Sequence, residues 1–115
     1  AHPLGVLIDP DGTGRAESKA RVLDISALGL CLLVDGRSSP LSAGQDIARC
    51  RFDLPAYGEI RCGLEVRYIL SAGASHPDHF RRCGVQFRHL AHADSVLISR
   101  YINDLQRERA KARPR

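Results

Sequence analysis

The 115-residue sequence contains no methionine and no tryptophan, only two lysines against 15 arginines, and six tyrosines and phenylalanines in total. Lacking a start residue of its own, it is expected to be a fragment of a longer protein. No uninterrupted apolar stretch approaches the roughly 20 residues needed to cross a bilayer, and the N-terminus has no charged-then-apolar leader pattern. A membrane span and an obvious leader are therefore excluded for this stretch, and a cytoplasmic location is expected. The four cysteines, Cys31, Cys50, Cys62 and Cys83, include no CxxC pair, so the spacing of zinc ligands is missing. Each falls among apolar neighbours on a strand-like pattern and reads as a reduced, buried thiol.

Residues that carry chemistry are equally sparse. The five histidines, His2, His76, His79, His89 and His92, form no HxxxH or HExxH pattern, and His76-Pro77-Asp78-His79 reads as an exposed polar loop. Gly12-Thr13-Gly14 is followed by no GK[ST] and no helix start, which makes it a turn rather than a phosphate loop. Thiols on strand interiors lack the base and low pKa that a cysteine nucleophile requires. An enzyme, a resident cofactor and a metal site are all unexpected.

What is present is one compact domain's worth of chain, 43% hydrophobic and 26% charged. The net charge of +4 would ordinarily point to a polyanion, yet all of it lies in the last nine residues. There Arg107, Arg109, Lys111, Arg113 and Arg115 stand against Glu108 alone, and residues 1–106 balance acids and bases. A neutral body with few aromatics offers neither the electrostatic footprint nor the stacking platform of a nucleic-acid binder.

Along the chain, the apolar run over residues 3–8 leads into the turn cluster Asp9-Pro10-Asp11-Gly12-Thr13-Gly14, which predicts a hairpin. The next run, Ala16 to Ile25, alternates loosely, with Ala20, Val22 and Asp24 on one side. Leu30 to Val34 is continuous and apolar, as in a strand covered on both faces, and residues 35–44 form a loop. Cys50, Phe52 and Leu54 then alternate with Arg49, Arg51 and Asp53, and Pro55 to Gly58 turns the chain. Ile60, Cys62, Leu64, Val66, Tyr68 and Leu70 share one face of a half-solvated antiparallel strand. After the polar stretch 71–79, Cys83, Val85 and Phe87 mark a last strand. The period then changes to 3.6: Leu97, Ile98, Tyr101, Ile102 and Leu105 form a stripe on a helix over about 93–112, closed by Pro114. Six or seven short strands and one amphipathic helix predict a small antiparallel barrel, with the helix packed on it or paired with a partner.

One connection is more polar than a short link needs. Asp24-Ile25-Ser26-Ala27-Leu28-Gly29 offers a carboxylate that can accept from a base edge or an arginine, and a hydroxyl that can meet a phosphate or close the turn. Its glycine permits close backbone approach or positive φ. Asx and Ser turns use the same residue types, so chemistry alone leaves a structural turn and a ligand site both open.

This segment resembles the (D/N)xSxxG signature of PilZ domains. Cys83-Gly84-Val85-Gln86-Phe87 is similar to the late Gly-Val-x-Phe strand of that family. Arg49 to Pro55 (RCRFDLP) and the helical stretch Ser99 to Glu108 resemble its flagellar brake (YcgR-like) branch. The resemblance covers most of the chain. It implies an all-β fold, a six-stranded antiparallel PilZ β-barrel over about 3–90 followed by one C-terminal α-helix, forming a single domain over 1–115. It further implies a cyclic di-GMP receptor regulating flagellar motility, with the flagellar motor or another bacterial signalling protein as partner. Asp24, Ser26 and Gly29 inherit the ligand-binding role.

The chain departs from the family at one place. An RxxxR motif, whose arginines fork onto phosphate and stack on guanine, precedes the first barrel strand in the family, and this chain opens Ala1-His2-Pro3-Leu4. Arg15 and Arg21 are six apart within the first hairpin, and Arg81 and Arg82 come late; Arg21, beside the signature, is a weak candidate for supplementing the motif. Either the arginines lie before Ala1, or this is a degenerate PilZ-like module that contacts a protein and does not bind cyclic di-GMP.

Overall fold

The computed structural model describes residues 4–112. Six strands, β1 (Leu4–Asp9), β2 (Ser18–Ile25), β3 (Gly29–Asp35), β4 (Asp46–Leu54), β5 (Gly58–Ser71) and β6 (Phe80–Arg88), precede one helix, α1 (His92–Ala112). They close into an antiparallel barrel in the order β1-β2-β3-β6-β5-β4. β1 makes the closure: Val6 stands opposite Ala20 of β2 on one side and Phe52 of β4 on the other. The start of the first apolar run at Pro3 and the Pro114 helix stop lie outside the described residues.

Period-two alternation drives the inward set. Val6 and Ile8 from β1, Leu32, Ile47, Ile60, Leu64, Val66 and Cys83 are almost fully buried and fill the barrel. β3 is covered on both faces, as its unbroken apolar run requires. The Asp9 to Gly14 cluster is a turn between β1 and β2. Asp9 is buried, and its carboxylate oxygens share the Gly14 amide as donor, at 3.2 and 3.0 Å, which offsets the cost of that burial.

Two expectations about strand faces are corrected by β-bulges. Val22 pairs with Leu32 but Asp24 pairs with Cys31, so Leu23 is an extra residue on β2. The alternation flips there: Ala20 and Val22 stay buried, Asp24 emerges to solvent, and Ile25 packs toward the core. Likewise Val66 pairs with Val85 and Tyr68 with Gly84, which makes Arg67 the extra residue on β5. Tyr68 and Leu70 therefore point outward, 45% and 54% exposed, and Ile69 takes the inward place. A bulge adds one residue without changing strand direction, so every side chain beyond it changes face.

The helix packs on the barrel. Ile98 and Tyr101 are buried, and Leu97, Ile102 and Leu105 pack against the same core. Asp94 in its first turn and Arg109 and Lys111 in its last complement the helix dipole. The Tyr57 hydroxyl donates to Asp104 Oδ2, tying the helix to the β4–β5 turn. No helix among the described residues is long and apolar enough to cross a membrane.

Candidate ligand-binding cleft

The link between β2 and β3 is built around one hydroxyl. Ser26 Oγ accepts from the amides of Leu28 and Gly29 at 3.3 and 3.2 Å and lies 3.4 Å from the Gly29 carbonyl oxygen, to which it donates. The Ser26 amide also donates to that carbonyl, at 2.9 Å. Ser26 thus closes the turn, one of the two roles its residue type allowed. Asp24 sits just before it, exposed by the Leu23 bulge, with Oδ1 accepting from the Ile25 amide at 2.9 Å.

Gly29 is fixed by close packing. A Cβ at this position would lie 1.9 Å from the Val85 carbonyl oxygen, inside the backbone of β6. Its φ is not among the positive ones, so the glycine answers a close approach, and what approaches is the chain's own β6 rather than a ligand. The Phe87 amide donates to the Leu28 carbonyl at 2.8 Å, which holds the tip of the turn against β6. The Leu28 side chain projects away and is 72% exposed.

The cleft beside this turn has a volume of about 390 Å³, within the range of small-ligand sites. Asp24, Ser26 and Gly29 line it together with Arg67, Tyr68 and Gln86. Register explains the meeting: Asp24 is opposite Cys31, Cys31 opposite Gly84, and Gly84 opposite Tyr68, one row across four strands. Gly84 has no side chain to interrupt that row, and the Tyr68 ring leans into the gap. Arg67, exposed, reaches the half-buried Glu65 at 3.4 Å, an ion pair of modest worth.

Three of the four sequence-predicted residues are therefore brought together. Arg21 is not: it is exposed on β2 opposite Leu33, outside the cleft lining. Arg82 also stands opposite Leu33, from β6, and is equally outside. Sequence reasoning missed Arg67, Tyr68 and Gln86, because strict alternation put Tyr68 in the core. Gly84, a glycine inside an apolar strand, was the available signal that something lies over it.

Residues 5–104 match the PilZ domain family. The chain belongs to the PilZ domain family. Among curated relatives of this PilZ chain, the flagellar brake protein YcgR of Chromobacterium violaceum is 33% identical over 89 residues, covering 76% of this chain and 36% of that protein. The YcgR of an Azoarcus strain is 32% identical over 104 residues, covering 90% and 40%. The PilZ chain thus spans well under half the length of these relatives. Among solved structures, the PilZ domain of Escherichia coli YcgR with c-di-GMP superposes with a TM-score of 0.75 at 16% identity, covering 95% of this chain and 86% of that one. K. pneumonia MrkH in its apo state gives a TM-score of 0.80 at 20% identity, covering 98% and 50%. At these identities the likeness establishes the PilZ barrel and its helix as a shared fold.

Proposed function

We propose that this PilZ domain is a non-enzymatic receptor for cyclic di-GMP in the cytoplasm, acting through a flagellar motor component or another signalling protein. The observation that carries the reading is the signature Asp24-x-Ser26-x-x-Gly29 lining a cleft that an arginine, Arg67, and an exposed aromatic ring, Tyr68, also line. The E. coli relative was solved with this ligand and the curated relatives are flagellar brakes, which supports the choice of ligand and role.

The lining residues suit different parts of a cyclic dinucleotide. The Asp24 carboxylate accepts from the N–H groups on a guanine edge. Ser26 holds the turn so that Asp24 and the nearby backbone stay in place. Tyr68 offers a π-face for a base, worth about 1–3 kcal/mol per stacked base. Arg67 is a planar fork for a phosphate. The domain needs no cofactor for this task. Binding then changes the surface that a partner reads.

Calorimetric titration of cyclic di-GMP into the 115-residue chain, and in parallel into the natural gene product, tests the reading. Micromolar binding by the natural protein that is lost in Asp24→Ala supports it. Absence of heat from the natural protein, with two arginines four apart encoded before Ala1, overturns it.

A second reading draws on a separate observation. Leu28 and Tyr68 are large apolar side chains exposed on the cleft's rim, and Leu70 continues the patch along β5. In a degenerate module this face would contact a protein directly, with no nucleotide. Partner capture by the natural protein that is insensitive to cyclic di-GMP and abolished by Leu28→Asp distinguishes it.

A further inference from the structure

Away from the cleft, a second cavity of about 500 Å³ is bounded by β1, β4 and β5. Cys50 and Cys62 both line it, register partners on β4 and β5 with their Sγ atoms 3.6 Å apart. This meeting is made by a third bulge. Pairing passes from Ile47 opposite Leu64 to Cys50 opposite Cys62, so Ala48 and Arg49 together face Gly63. Without the extra residue, Arg49 would stand opposite Cys62.

The two thiols are free and unequal. Cys50 is 3% exposed, whereas Cys62 is half-buried. A hydrogen bond from Cys50 stabilises a Cys62 thiolate and holds the Cys62 pKa below its ordinary value, against the opposing effects of burial and of Asp94. That same contact, with burial, pushes the Cys50 thiol far up. Asp9, Glu17, Arg49, Arg51, Arg61 and His89 also line the cavity, Arg51 and Arg61 being register partners one step along from the cysteines and so on the other face of the sheet. A half-buried thiol within 3.6 Å of a buried second thiol is the arrangement found at oxidisable cysteine pairs.

We propose that Cys50 and Cys62 form an oxidative modification site, in which Cys62 attacks a hydroperoxide and Cys50 resolves the product into a cross-strand disulfide. In the first step the Cys62 thiolate attacks one peroxide oxygen. An S–O bond forms, the O–O bond breaks, and the leaving alkoxide or hydroxide takes up a proton, which leaves Cys62 as a sulfenic acid. In the second step Cys50 Sγ attacks Cys62 Sγ. The S–S bond forms, the S–OH bond breaks, and hydroxide departs as water with the Cys50 proton. Two thiols give up two electrons and two protons, and the hydroperoxide becomes an alcohol, or water, plus one further water. The sulfurs must close from 3.6 Å to about 2.05 Å, a movement within reach of side-chain rotation.

The other two cysteines are an internal control. Cys31 is opposite Gly84 and Cys83 opposite Leu32, so they lie one register step apart on opposite faces of the sheet. Burial pushes the Cys83 thiol up to about 11, which keeps it protonated and unreactive.

The test is oxidation of the unmodified chain by hydrogen peroxide, followed by thiol alkylation, intact mass and peptide mapping. Expected are the loss of two of the four alkylatable thiols, a mass decrease of two hydrogens, and one linked peptide pair containing Cys50 and Cys62, reversed by dithiothreitol. In Cys50→Ser, the Cys62 sulfenic acid has no resolving partner and is captured by dimedone. The Cys31→Ser/Cys83→Ser protein forms the link as the wild type does. The proposal is overturned if all four thiols stay alkylatable under peroxide that oxidises a free cysteine peptide. It is equally overturned if Cys62 passes to sulfinic acid with no link to Cys50. The wild-type measurement decides the matter even where a variant fails to fold.

Discussion

The ring of Tyr68 occupies the space that a side chain at Gly84 would fill: a Cβ built there would lie 2.0 Å from Tyr68 Cε2 and 2.4 Å from Cζ. The obstacle is a partly exposed side chain that can turn away, whereas the obstacle at Gly29 is the Val85 carbonyl of a paired strand. Gly84→Ala is expected to cost under about 1 kcal/mol of stability, and Gly29→Ala about 1–3 kcal/mol, since β6 itself must shift. Urea denaturation of the two variants checks the order. In Gly84→Ala the displaced ring also leaves the cleft, so affinity for cyclic di-GMP should fall roughly 5–150-fold, as in Tyr68→Ala.

Asp24 and Ser26 are separable by experiment. Asp24 is exposed and makes one local hydrogen bond, so Asp24→Ala should leave the melting temperature nearly unchanged while removing a charged acceptor from the ligand, a loss of about 10–150-fold in affinity. Ser26 Oγ holds two amides of the turn, so Ser26→Ala should lower stability by about 1 kcal/mol or more and weaken binding as a consequence. Paired thermal melts and calorimetry report both effects.

Docking of the helix depends on Ile98, which has no exposed surface. Ile98→Ala is expected to destabilise the domain by about 2–5 kcal/mol. Hydrogen exchange should then show α1 amides losing protection before those of β3. Equal loss in both would mean that barrel and helix form one cooperative unit.

Tyr57 supplies a pH dependence whose direction is fixed. Its hydrogen bond to Asp104, followed by burial and the negative charge of Asp104, raises its pKa above the ordinary value of 10.0. The folded state therefore holds the phenolic proton more tightly than the unfolded chain. The stabilisation is full below pH 10.0 and is lost as pH rises through the higher folded-state value. Denaturant midpoints measured across that alkaline window should fall in the wild type and fall less in Tyr57→Phe.

The barrel and helix were legible because periodicity is a local property. Cys50, Phe52 and Leu54 alternate with Arg49, Arg51 and Asp53 just as they bury, and Leu97 to Leu105 repeat at helical spacing on the face that docks. Register faults were not legible. Leu23 and Arg67 carry no mark that separates a bulge residue from an ordinary strand residue, since a bulge answers the pairing of two strands rather than the preference of one. Those two residues decide that Asp24 and Tyr68 both face outward, so half of the cleft was hidden even though its signature was plain. The cysteine pair was hidden for the same reason, since the bulge at Ala48 and Arg49 sets Cys50 against Cys62.

The seam between β1 and β4 has a consequence for how other proteins can bind. Because β1 pairs on both sides, the described barrel presents no open edge strand. An extended peptide cannot attach by adding a strand and borrowing backbone hydrogen bonds. A partner must instead read side chains on a closed surface, and that makes its affinity responsive to small rearrangements around Leu28, Arg67 and Tyr68.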